Sequence, residues 1–176
     1  MTPWFPVALK LFGRRCLVVG TGEEADARAA ALSEAGADVT RSASFQPSDL
    51  DGVWLAVLAP RDLALAQAMD RECEARRIFF AAVDEPSVGS YSHLALARAG
   101  TVTAAIGTNG EAPALARRLR ELLSDLFARA NLADFAERHA DLRRATPSSE
   151  RRDVLGADVR DLRIDGELVV PRRSQR

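Results

Sequence analysis

The stretch Gly20-Thr21-Gly22-Glu23-Glu24-Ala25 follows the pattern G-x-G-x-x-G/A, in which each small residue has its own task. Gly20 permits a tight turn, Gly22 lets the backbone approach a pyrophosphate, and Ala25 allows a helix to pack close behind. The free N–H groups and positive dipole at the start of that helix favour an anion. The chemistry implied is binding of a dinucleotide such as NAD, with NADP also open. A plain strand-to-helix turn that binds nothing has the same pattern. An acidic ribose anchor belongs about 20 residues further on, where this chain reads Thr40-Arg41-Ser42. Arg41 suits a 2′-phosphate, or is simply a solvated arginine. The candidate cofactor-binding set is Gly20, Thr21, Gly22, Glu23, Ala25 and Arg41. Glu23 and Glu24 complement the helix dipole but would repel a pyrophosphate if they pointed inward.

Three further groups are able to do chemistry. Asp84 ends the apolar run Ile78 to Val83, the place where open α/β sheets hold ligands. A carboxylate there can accept a proton; alternatively Asp84 and Pro86 start a turn. His93 suits a proton shuttle or an iron ligand, or a hydrogen-bonded strand residue. His139 lies on the apolar stripe of a helix and reads as core or dimer packing. Cys16 and Cys73 stand far apart with no C-x-x-C, which argues against a disulfide framework or structural zinc. Cys16 reads as a buried small hydrophobe and Cys73 as a helix-face residue. No Ser/His/Asp constellation is visible, and no metal site is expected.

The elements that must position these groups follow from periodicity. Arg14 to Gly20 is a short apolar run ending in glycine, as in a strand buried on both faces. Glu23 to Ala35 carries Ala25, Ala29 and Leu32 at helical spacing, with Gly36 just past its end. Ala37 to Ala43 reads as a second strand and Ser44 to Gly52 as a polar connection. Val53 to Ala59 is a further strand, Arg61 to Arg76 a helix, and Ile78 to Val83 another strand. That alternation predicts a parallel sheet with helices on its faces. Tyr91 to Ala99 and Thr101 to Thr108, hinged at Gly100, predict a hairpin. Pro113 to Phe127 is an amphipathic helix with Leu115, Leu119, Leu122 and Leu126 on one stripe. Leu132, Phe135, His139 and Leu142 mark a second helix, and a charged tail follows Thr146.

Composition bounds the rest. The 176 residues are 47% hydrophobic and 28% charged, enough for a real core. Twenty-four basic against 25 acidic residues, a net charge of −1, remove the broad electrostatic case for nucleic acid or an anionic membrane. No run approaches the roughly 20 apolar residues of a membrane span. The N-terminus lacks a charged region followed by a long apolar one, so the expected location is cytoplasmic.

With these residues placed, the chain resembles the precorrin-2 dehydrogenase and sirohydrochlorin ferrochelatase family, also found as the N-terminal module of siroheme synthase. The resemblance runs from about Phe5 to about Leu142. It is carried by FPVALKLFGRRCLVVGTGEEA, AGADVT, DLDGVWLAVLA, RRIFFAAVDEP and AAIGTNGEAPALARRLRELL, in that order. It implies a Rossmann-like α/β domain, then a β-hairpin dimerisation segment and a small helical C-terminal domain. The corresponding division is residues 1–90 (NAD(P)-binding), 91–112 (hairpin), 113–146 (helical) and 147–176 (charged tail, partly ordered). It also implies NAD as cofactor, a tetrapyrrole held in a cleft between the subunits of a homodimer, and Asp84 as the catalytic carboxylate. Ferrous iron would be a second substrate if the chain also chelates. Thr108, Asn109, His93 and Arg117 are the candidate substrate-binding residues.

The sequence also departs from the family. The stretch between the second strand and DLDG is shorter, so a helix and strand are missing. The family's A-T-D-D is Ala59-Pro60-Arg61-Asp62, and its arginine–lysine pair is Ala27-Arg28. In the loop preceding Pro113 only Thr108 keeps a hydroxyl, and the usual F-x-x-P is Tyr91-Ser92-His93-Leu94. The expected function is NAD-dependent oxidation of precorrin-2 to sirohydrochlorin, with ferrochelation as a further step. The alternative is a non-catalytic tetrapyrrole- or partner-binding relative that has lost dinucleotide binding. Arg117, Arg118 and Arg120 suit the carboxylates of a tetrapyrrole, or form a solvated face paired with Glu121 and Asp125.

Overall fold

The computed structural model describes residues 4–166 and 168–169. The first strand, β1 (Arg15–Val19), is followed by helix α1 (Glu23–Glu34) and strand β2 (Asp38–Ser42). Strand β3 (Leu55–Leu58), helix α2 (Leu63–Arg76) and strand β4 (Phe79–Ala82) complete a four-stranded parallel sheet of order β2-β1-β3-β4. This is an α/β, Rossmann-like arrangement. The direction of strand addition reverses between β1 and β3, which creates the crevice where such sheets hold ligands.

The apolar runs are continuous because both faces of the sheet are covered. On one face Cys16, Val18, Leu55 and Val57 pack with Ala25, Ala29 and Leu32 of α1. On the other, Leu17, Val19, Ala56 and Leu58 pack with Ala66, Met69 and Cys73 of α2. Period-2 alternation along β1 thus feeds two cores. Both cysteines are free and buried, and burial pushes the Cys73 thiol up to about 12. Helix α1 stops at the expected glycine: Gly36 has φ +83°, and the N–H of Ala37 donates to the Leu32 carbonyl at 3.1 Å.

Between β2 and β3 the chain has only a 3-10 turn, Pro47–Leu50, whose Leu50 is buried. The sheet therefore ends at four strands, as the short connection predicts. Helix α2 begins two residues later than its periodicity suggests, because Asp62 caps it by accepting from the Leu65 N–H at 2.9 Å. After β4 the chain folds back on the strand. Phe80 N–H donates to Ser90 Oγ at 3.1 Å, and Ser90 N–H donates to the Phe80 carbonyl at 2.8 Å. Gly89 sits in the bend with φ +95°, where a Cβ would lie 2.5 Å from the Phe80 carbonyl oxygen.

Downstream lie the hairpin strands β5 (Ala95–Ala99) and β6 (Val102–Ile106), turning at Gly100 with φ +55°. Helices α3 (Pro113–Arg129), α4 (Leu132–Ala145) and α5 (Arg151–Asp158) follow. The chain divides into two compact units: residues up to Ala95 with Ile106–Arg117, and Leu96–Ala105 with the chain from Arg118 onward. In the second unit His139 is half-buried rather than enclosed in a core. Its Nδ1 lies 2.6 Å from Asp158 Oδ2 on α5, and its ring stacks on Phe135. The charged tail thus contains a helix that α4 engages; of its apolar group Leu168 to Val170, Val170 lies outside the described residues. Among the described residues no helix is long and apolar enough to cross a membrane.

Candidate active site

The sheet register assembles the site. Val19 of β1 is level with Leu58 of β3, and Leu58 with Ala82 of β4. The residues just past these positions, Gly20, Pro60-Arg61 and Asp84, therefore emerge together at the carboxyl ends of the strands.

At the end of β1, Gly20 has φ +125°. A Cβ there would stand 2.6 Å from Pro60 Cδ and 3.2 Å from the Ala59 Cβ, so this glycine is required by the close approach of the β3–α2 connection. Gly22 is required by torsion alone. Its φ and ψ are +88° and −176°, a region open essentially to glycine, and a Cβ there would meet nothing within 4 Å. Its outward face is thus free for a ligand. Ala25 is fully buried. Helix α1 has no side-chain cap, so its first amides stay unclaimed by the chain's own side chains; α2, by contrast, is closed by Asp62.

The carboxylates of the first turn are partly neutralised. Glu24 pairs with Arg28 at 2.5 Å and Asp26 with Arg41 at 2.6 Å, while Thr21 and Glu23 are exposed. Arg41 is therefore engaged along the helix instead of standing open for a 2′-phosphate. At the end of β2, Ser42 Oγ–H donates to the Ser44 carbonyl at 2.5 Å. The glycine loop and uncapped helix fit a pyrophosphate; the acidic ribose partner is missing from its usual place.

Asp84 follows β4 in the left-handed region, φ +57°, a conformation that Asp and Asn tolerate better than most residues. Its Oδ2 lies 3.3 Å from Arg61 Nη2, both side chains being largely exposed. Asp84 lines a cavity of about 450 Å³ together with Arg28, Arg61, Tyr91, His93 and Asn109. A second cavity of about 380 Å³, at the start of α2, shares Arg61, Ala82, Asp84 and Glu85 with it.

Within the larger cavity the Tyr91 and His93 rings meet edge-to-face at 5.2 Å, with the hydroxyl 3.5 Å from Nε2. His93 keeps exposed surface, yet the surrounding protein withdraws enough water from its ring to lower its pKa to about 4, and Arg28 adds to the effect. The imidazole is neutral at physiological pH, where its unprotonated nitrogen can accept a hydrogen bond. Burial also pushes the Tyr91 hydroxyl upward, with Cys16 adding to the rise and Arg28 opposing it. Asn109 has φ +52°.

The structure thus brings Asp84, His93 and Asn109 to one cavity. Thr108 is not among its lining residues; its Oγ1 accepts from the Ala112 N–H at 3.3 Å and shapes the loop before α3. Arg117 is exposed on α3, away from the lining. Arg28, Arg61 and Tyr91 were legible only as departures from a family pattern. The signal that finds Arg61 is register, since it stands three residues past Leu58, whose β4 neighbour Ala82 stands two before Asp84. Among the described residues no group of three or more His, Cys, Asp or Glu side chains is placed to hold a metal ion.

A four-stranded parallel sheet with an open glycine turn and a carboxylate at the carboxyl edge of its strands defines the class: a Rossmann-like domain of the dinucleotide-binding kind. Residues 7–44 match the family model NAD_binding_7, described as "Putative NAD(P)-binding". Siroheme synthase from Citrobacter koseri is 34% identical over 143 residues, covering 69% of this chain and 31% of the relative. Siroheme synthase 2 from Klebsiella pneumoniae gives the same identity and coverage. The chain thus spans about a third of the length of these curated relatives. Among solved structures, one titled "SirC, precorrin-2 dehydrogenase" superposes with a TM-score of 0.72 over 90% of each chain at 23% identity, the same fold. The chain is thus similar in sequence to the siroheme synthases and in fold to a precorrin-2 dehydrogenase.

Proposed function

We propose that the chain oxidises precorrin-2 to sirohydrochlorin with a nicotinamide dinucleotide, as a cytoplasmic homodimer. In this reading residues 1–90 form the NAD(P)-binding domain, 91–112 the dimerisation segment, 113–146 the helical domain and 147–176 the tail. The observation that carries it is the position of Asp84 in a cavity beyond β4, at the same carboxyl edge of the sheet where Gly20 ends β1. When bound, the nicotinamide supplies a hydride acceptor. Gly20, Gly22 and the first amides of α1 hold the pyrophosphate, with Ala25 packing the helix behind them. Asp84 takes the proton that the macrocycle loses as its hydride departs, so two electrons and both hydrogens are accounted for. Asn109 and His93 line the same cavity and would contact substrate. The dimer is supported by α3, whose Leu115 and Leu122 are 53% and 38% exposed.

Ferrochelation is a further activity of the same site in this reading, with ferrous iron as substrate and Asp84 accepting pyrrole protons. The alternative, a tetrapyrrole- or partner-binding relative without redox chemistry, is favoured by one observation: Arg41, the residue at the ribose position, is already held by Asp26.

The test is anaerobic incubation of wild type and Asp84→Asn with precorrin-2 and NAD or NADP, following the visible spectrum. Turnover in wild type and a loss of about 10²-fold or more in Asp84→Asn are expected. Equal rates would remove Asp84 from the chemistry. Absent turnover from folded protein with either cofactor would favour the alternative.

A further inference from the structure

We propose that Arg61 anchors a carboxylate of the substrate, and that this carboxylate displaces Asp84 from the guanidinium as it binds. The inference rests on the tetrapyrrole reading above and names the chemistry by which the site would recognise its ligand.

Four observations carry it. The Arg61–Asp84 pair stands where the two cavities meet, since both residues line both of them. The pair is loosely held: the contact is 3.3 Å, with the side chains 77% and 63% exposed, so water screens the attraction. One contact leaves most of the guanidinium fork for a carboxylate, which an arginine takes best in a two-pronged pair. Lastly, the base of the side chain is fixed while its head is not, because the neighbouring Pro60 ring packs against Gly20. Arg28, the other guanidinium of the larger cavity, differs in being tied to Glu24 within α1 at 2.5–2.7 Å. Glu85, the second carboxylate at the junction, accepts from Ser87 Oγ–H at 2.5 Å.

Exchange of partners has a chemical consequence. With the substrate carboxylate on Arg61, Asp84 loses its cation and gains a like charge nearby. Substrate binding would itself convert a paired carboxylate into a free base, at the moment when a proton has to be taken.

The experiment is a double-mutant cycle on binding of uroporphyrin, a stable polycarboxylate porphyrin, followed by tryptophan fluorescence at low ionic strength. Circular dichroism checks the fold of each variant. Arg61→Ala is expected to weaken binding about tenfold, a change of about 1.4 kcal/mol, and Arg61→Lys to recover part of the loss by charge alone. Asp84→Asn is expected to tighten binding several-fold with Arg61 present and clearly less in the Arg61→Ala background, where only repulsion is relieved. Wild-type affinity in Arg61→Ala, or an equal effect of Asp84→Asn in both backgrounds, would overturn the anchor and leave the proposed function standing. Failure of the wild type to bind the porphyrin would remove the tetrapyrrole reading and the anchor together.

Discussion

Gly22→Ala separates the two demands that a glycine loop makes, on the fold and on the ligand. The native φ of +88° with ψ −176° costs an alanine about 1–3 kcal/mol. No steric cost is added, because a Cβ there meets nothing within 4 Å. For a chain of this size about 2 kcal/mol corresponds to a fall in Tm of roughly 4–8 °C, well short of unfolding at 25 °C for an ordinary domain. The new methyl group would nevertheless stand in the open space through which a pyrophosphate must reach the α1 amides. Affinity for NAD is therefore expected to fall by more than about tenfold, since those amide contacts are charge-assisted. Gly20→Ala makes the control. It adds to its torsional cost a contact of 2.6 Å with Pro60 Cδ, so it is expected to lose more stability than Gly22→Ala. Thermal melts by circular dichroism and calorimetric titration with NAD read both effects. Gly22→Ala binding NAD as tightly as wild type would refute the assignment of this loop to the cofactor, whatever its effect on Tm.

Gly89→Ala is expected to lower Tm by several degrees, because positive φ and a 2.5 Å approach to the Phe80 carbonyl together cost on the order of 2–3 kcal/mol; an unchanged melt would mean that the 84–90 bend reshapes freely. His93 binds its proton less readily in the folded chain than in the unfolded one, about 4 against 6.5. The unfolded state then takes up more protons between those values, so stability linked to this group is present above about 6.5 and lost as pH falls towards about 4. Acid denaturation curves of His93→Gln should be less steep than wild type across that window. Wild type is expected to be a dimer by light scattering and Leu115→Glu with Leu122→Glu a monomer, because a charge in a desolvated apolar contact is strongly unfavourable; a dimer in both would move the interface elsewhere.

Most of the sheet was legible because β1, β3 and β4 carry apolar runs that pack on both faces. RCLVV, LAVL and FFAA leave no polar face to confuse with a surface strand, and each is closed by glycine, proline or aspartate. The α1 core face read directly from Ala25, Ala29 and Leu32. Boundaries were legible only where a side chain sets them. Val53 and Trp54 continue the apolar pattern of β3 ahead of its first residue, Leu55, and Trp54 still bonds through its backbone to Arg15 and Phe79 on either side. Helix α5 was hidden because its sequence, RRDVLGAD, contains a glycine and too few apolar residues for a face of its own; its ends are tied by Arg151 to the Thr146 carbonyl and by Asp158 to His139.

The site was legible to a different degree for each residue, and the difference is physical. Gly20 and Gly22 announce themselves because backbone torsion limits a position to one residue type, whatever lies around it. Asp84 could be placed because the end of a parallel strand is a definite location in this architecture. Arg61 carries no such mark. Its importance comes from a register, Leu58 opposite Ala82, that brings two loops together across the sheet, and register between parallel strands is encoded in the packing of both faces at once rather than in any short motif. The same reasoning explains Arg41. Its place at the end of β2 suggested a phosphate partner, but one helical turn from Glu23 the chain supplies Asp26, and the nearer charge takes the guanidinium at 2.6 Å. Position along the chain tells which groups reach the crevice; the charges already waiting there decide which of them are left for a ligand. By that measure the paired but exposed Arg61 and Asp84 are the two groups that an incoming acidic substrate would rearrange first.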